Sequence, residues 1–147
     1  MTVQTILQYD DIMSNLINDY SIDAKIRFRF LNMRKQFEPI VQNFQRVREE
    51  ILKKHAETRE DGTMGIFRPE IPDRTKFDSD DGYNKSVDEY NTAMAKYDVT
   101  LAEFQKDLDP ILNDEANIQF TKFKVDEIMS AGLSSDALLV IIDLIEE

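Results

Sequence analysis

At 147 residues, 41% of them hydrophobic, the chain can bury one core as a single domain; without a cysteine it can hold no disulfide, thiolate metal site or cysteine nucleophile. The net charge of −11 is unevenly placed: residues 1–20 carry −3, residues 21–56 carry +5 from nine Lys/Arg against four acids, and residues 57–147 carry −13. Duplex binding is disfavoured, because phosphate contacts need a net basic face, whereas a basic helix beside an acidic one reads as a complementary pair.

Residues 2–7, Thr-Val-Gln-Thr-Ile-Leu, read as a short strand or as the lead into a helix. Asp10 and Asp11 offer N-cap oxygens, and Ile12, Met13, Leu16, Ile17 and Tyr20 follow helical spacing to about residue 20. Ser21 and Asp23 can cap the next helix, expected from Ala24 to Glu57, about 50 Å long at 1.5 Å per residue. Within it Ile26, Phe30, Met33, Phe37, Ile40, Phe44, Val47 and Ile51 alternate steps of four and three. That spacing keeps side chains on one stripe of a helix, the seam of a coiled coil. Pro39 removes a hydrogen bond inside the helix, yet the phase passes through it unbroken, so a kinked helix is expected rather than two. Phe28, Leu31 and Val41 widen the apolar face in the first half of this helix, which predicts more neighbours there.

Residues 58–82 hold three of the four glycines and two of the four prolines. Asp61-Gly62 signals a turn, and Pro69 and Pro72 oppose regular structure. The segment is longer than a helical hairpin needs, and Met64, Ile66, Phe67, Ile71 and Phe77 make it too apolar for a disordered linker. These five residues are the candidate partner-binding epitope at the tip; folding back along the helices is the alternative. Tyr83, Val87, Tyr90, Met94, Tyr97, Leu101, Phe104, Leu108 and Ile111 then repeat the four–three spacing, up to Asp109-Pro110. Ile118 and Phe120 alternate, with Phe123 and Val125 one step out of phase, as in a strand with a bulge. Gly132 breaks the chain, Ser134 or Ser135 caps a last helix, and Ala137–Ile145 is apolar nearly all round, which predicts burial in the domain or against a second subunit.

The expected fold is mainly α: an antiparallel two-helix coiled-coil hairpin (24–57 and 83–111), a tip loop (58–82), and a small head (1–23 and 112–147) containing a short β element and an apolar C-terminal helix. Residues 2–7, if a strand, would pair near 118–125.

No catalytic constellation is present. The one histidine, His55, stands at the end of a helix and reads as a surface residue. No glycine-rich phosphate loop or HExxH occurs. Asp78, Asp80, Asp81 and Gly82 resemble a calcium loop, but the first ligand position is Phe77, so neither a metal nor a cofactor is expected. The distinctive polar patch is Lys25–Lys35, where Arg27, Arg29, Arg34 and Lys35 interleave with aromatics. Arginine forks suit phosphate or carboxylate, which makes these four a candidate anion or partner patch; the plainer reading is that they offset neighbouring acids. No secretory leader opens the chain and no apolar run approaches the ~18 residues of a membrane span, so a soluble, cytosolic protein without a membrane partner is expected.

The order of elements resembles a family of small tailed-phage proteins of unassigned function from phages of Gram-positive hosts. The matching parts are the helix near Asp10–Tyr20, the charged helix end Arg46–Glu57, the Asp61-Gly62 turn, a second helix rich in acids and aromatics, and Ile118–Val125 followed by apolar Leu138–Ile145. The resemblance implies a non-enzymatic phage protein. The leading expectation is a virion-associated or assembly protein that binds other phage proteins or itself as a homo-oligomer. The alternative is an early inhibitor that sequesters a host defence component or its ligand, with a lysis-module enzyme third.

Overall fold

The computed structural model describes residues 1–146 and is mainly helical. Its elements are α1 (Val3–Asn18), α2 (Ala24–His55), β1 (Glu57–Thr58), β2 (Met64–Gly65), a 3-10 turn (Arg74–Lys76), α3 (Asp80–Leu112), α4 (Val125–Met129), α5 (Ser135–Val140) and a last 3-10 turn (Ile142–Leu144). They divide into two compact units: Met1–Gln45 with the chain from Leu112 onward, and Arg46–Ile111. Among the described residues no helix is long and apolar enough to cross a membrane.

In the first unit, α1 begins earlier than Asp10 or Asp11 suggested, and of residues 2–7 all but the capping Thr2 are helix rather than strand. Val3, Ile6, Tyr9, Met13 and Leu16 form one buried stripe. Burying that stripe outweighs the β-branched character of Val3, Thr5 and Ile6. The cap is Thr2, whose hydroxyl accepts the N–H of Thr5 at 3.3 Å, and Thr2 makes a single antiparallel bridge with Glu115. Asp23 caps α2 by accepting the N–H groups of Lys25 (2.9 Å) and Ile26 (3.3 Å). Helices α1 and α2 pack closely, with Ile26, Phe30, Met33 and Phe37 joining the α1 stripe in one core. The helix continues through Pro39, an exposed position, while the seam residues on either side, Phe37 and Ile40, turn inward.

Two expectations are corrected in this unit. The 118–125 alternation is no strand, because among the described residues no neighbouring strand pairs with it. Ile118 and Phe120 are half-buried in a connection without regular structure, Phe123 is fully buried, and Val125 already opens α4. Among the described residues the segment makes a single parallel bridge, Phe123 with Ile145: Phe123 N–H donates to the Leu144 carbonyl and Glu146 N–H to the Phe123 carbonyl, both at 2.8 Å. The final segment is not a helix buried all round. Ser134 caps α5, but the helix stops at Val140, where consecutive β-branched Val140, Ile141 and Ile142 lower helix propensity and the chain turns toward Phe123. Ile141 and Leu144 are fully buried, while Leu139 and Ile142 are 67% and 59% exposed. Gly132 has φ +81°, and a Cβ there would stand 2.8 Å from the Ser21 carbonyl oxygen, so glycine is required at this break.

In the second unit the long connection has structure. Strands β1 and β2 pair antiparallel, Glu57 with Gly65 and Thr58 with Met64, closing on Gly62 at φ +82°. This two-stranded sheet is where the β element lies, rather than in the first unit. Asp61 and Asp73 each accept both the N–H and the hydroxyl of a threonine two residues on, Thr63 and Thr75; Asp19 does the same for Ser21 in the first unit. Helix α3 runs beyond Pro110 to Leu112. No residue of either four–three stripe is exposed, and Ile51, Phe104 and Leu108 are the buried positions of this unit.

Candidate functional site

Arg27, Arg29 and Arg34 of α2 turn toward their own unit. Arg29 donates to Glu127 at 2.7 Å and to the carbonyls of Thr121 (3.2 Å) and Lys122 (3.0 Å), with its guanidinium 4.0 Å from the Phe123 ring centroid. It fastens the 121–127 segment onto α2. Arg34 pairs with Asp10 of α1 at 3.0 Å. Arg27 donates to the carbonyls of Ile22 (3.2 Å) and Ile17 (3.5 Å) and lies 4.6 Å over Tyr20. Lys35 is exposed and lines, with Asp10, Leu31, Arg34, Glu38 and Val41, a groove of about 360 Å³. The four basic residues are therefore not convergent on one ligand: three have internal partners.

Glu127 accepts the N–H of Lys124 as well as the Arg29 pair, with Lys25 3.6 Å away. The Lys124 N–H first, then Arg29 and Lys25, hold its carboxyl below the ordinary 4.5. A depressed carboxyl pKa adds stability above the unfolded value and loses it as pH falls through the folded value. Glu127→Gln is thus expected to melt below the parent at neutral pH, with the gap closing as pH falls through about 4.5 and below. Thermal melts at several pH values check this; a gap constant with pH would show that the charge of Glu127 contributes nothing.

The five apolar residues of the connection separate into two sets. Ile66, Phe67 and Phe77 are half-buried, Phe67 under the Arg59 guanidinium at 3.7 Å and Phe77 against Tyr83 at 5.8 Å. Met64 and Ile71 stand out, 46% and 75% exposed. A cavity of about 290 Å³ is lined by Ile66 and Phe67 together with His55, Lys96, Tyr97 and Thr100. Asp80, one of the carboxylates resembling a calcium loop, takes Arg74 at 2.6 Å.

His55 is the residue that sequence reasoning placed least well. Its side chain is only 16% exposed, with Nε2 2.9 Å from Asp107, Nδ1 4.0 Å from Glu103 and the ring edge-on to Phe104. The hydrogen bond with His55 holds the Asp107 carboxyl below its usual range. The available signal was Glu103 and Asp107, one helical turn apart and flanking Phe104; nothing local linked them to residue 55. In the first unit Tyr9 donates to Asp143 at 3.4 Å, and its phenol is pushed up by burial first and by the Asp143 charge second. No protein-family model, curated protein or solved structure matches this chain.

Proposed function

We propose that the chain acts by binding other proteins, as a virion-associated or assembly protein of a phage. The observation that carries the binding role is the set of large apolar side chains held in solvent: Met64 and Ile71 in the second unit, Met129, Leu139 and Ile142 in the first. Exposed apolar side chains that cluster are the usual sign of a protein-contact surface, and Leu139, Val140 and Ile142 fall within one four-residue stretch. The phage assignment rests on the resemblance in element order. The inhibitor reading is less well supported, because Arg27, Arg29 and Arg34 already hold protein partners, leaving Lys35 as the one member of that patch with none of these contacts.

The finer architecture belongs to the same reading: within the second unit, the Val47–Ile51 end of the first stripe faces the second stripe as an antiparallel coiled coil. Its support is local to the second unit, where His55 meets Glu103 and Asp107 while Arg48 lies 5.9 Å from the Phe104 ring.

Quantitative mass spectrometry of purified particles of the encoding phage tests the function. The chain is expected there at a fixed ratio to a structural protein. Its absence from particles, with the chain abundant early in infected cells, would transfer the assignment to the inhibitor.

A further inference from the structure

Residues 125–146 contain five acids, Asp126, Glu127, Asp136, Asp143 and Glu146, and no Lys, Arg or His. The same stretch exposes Val125, Met129, Leu139, Val140 and Ile142. Its inward face is complete without them: Ile128, Ile141 and Leu144 are fully buried. Around α5 the two characters stand side by side. On the helix Asp136 lies three and four residues before Leu139 and Val140, and in the 3-10 turn that follows Asp143 comes directly after exposed Ile142. Glu127 is neutralised by Arg29, whereas Asp126, Asp136, Asp143 and Glu146 are exposed.

We infer that the α5 surface, centred on Leu139, Val140 and Ile142 with Asp136 and Asp143 beside them, docks a basic amphipathic segment of another polypeptide. The inference rests on the protein-binding reading and names its surface and partner chemistry. Charge selects the occupant. A second copy presenting the same face would set acid against acid, and an anionic lipid surface would be repelled by it. A helix carrying Lys or Arg beside Leu or Phe satisfies both features together.

The chain has no tryptophan, so a Trp-bearing probe reports alone. The probe is a synthetic Leu/Lys amphipathic helix with one Trp on its apolar face, titrated with the full chain. A saturable blue shift of its emission is expected, and Leu139→Ser with Ile142→Ser should weaken binding at least about tenfold, an amount that losing two buried aliphatic contacts readily accounts for. Asp136→Lys, which replaces an exposed side chain, should weaken it severalfold even if the double variant fails to fold. Ile71→Ser, in the other unit, should leave it unchanged. The inference falls if the probe does not bind, if these α5 changes leave affinity intact, if Ile71→Ser abolishes binding, or if a Glu-for-Lys probe binds as well. It also falls if the parent sediments as a dimer that the double variant dissociates, for then a second copy occupies the face. Failure of the probe with the chain present in particles overturns this surface alone; absence from particles with probe binding intact overturns the virion role alone.

Discussion

Replacing Phe123 with alanine should destabilise the first unit by about 3–5 kcal/mol, the range for removing a buried phenylalanine. The ring is fully buried, packs 5.1 Å from Phe30 and carries the Arg29 guanidinium on it at 4.0 Å. Its backbone holds the bridge to Ile145. Losing the ring leaves a cavity among Phe30 and its neighbours and takes away the surface that positions Arg29 over residues 121–127. Denaturant unfolding followed by circular dichroism measures the effect. A loss under about 1 kcal/mol would be far too small for a large-to-small change in a packed core and would place Phe123 outside it.

The second large effect is expected from Leu108→Asp. Leu108 is 8% exposed and its sequence neighbours Asp107 and Asp109 are acids. A carboxylate there loses the burial of leucine, must be desolvated and meets like charge, which together should lower stability by about 3–5 kcal/mol. Amide hydrogen exchange locates the damage. Lost protection should centre on 46–55 and 100–111, with the α1 stripe around Ile6 and Met13 affected less. Unchanged protection at both places would mean that the α3 stripe is not packed.

The parts of the fold legible in the sequence are those written in local periods. The two four–three stripes lie on α2 and α3, Asp23 caps α2, and Ser134 caps α5. Each is a signal carried by residues within a few positions of one another. The 118–125 segment misled because a period of two reports only that alternate side chains face a core; whether a ladder forms depends on a partner strand, which lies elsewhere in the chain or not at all. The last helix misled in the opposite direction, since an apolar run says nothing of which residues find cover. Charged side chains were the least legible. Arg29 and Glu127 are 98 residues apart and His55 and Asp107 are 52 apart. No spacing rule joins such pairs, so a basic patch in the sequence became a set of internal fastenings in the fold.

The division of the chain carries a consequence for the order in which it is built. Residues 46–111 make their unit from one uninterrupted stretch, whereas the first unit closes across it, as the 134-residue separation of Tyr9 and Asp143 illustrates. During synthesis Ile6, Met13, Phe30 and Phe37 emerge first and lack Phe123, Ile128, Ile141 and Leu144 until more than a hundred further residues have been translated. Closing so long a loop precedes any gain from the contacts it brings together, which slows this step and prolongs the life of an uncovered apolar surface. The middle stretch can complete its contacts while the outer one waits, so a ribosome stalled before residue 141 would display the α1–α2 face to chaperones after 46–111 had closed.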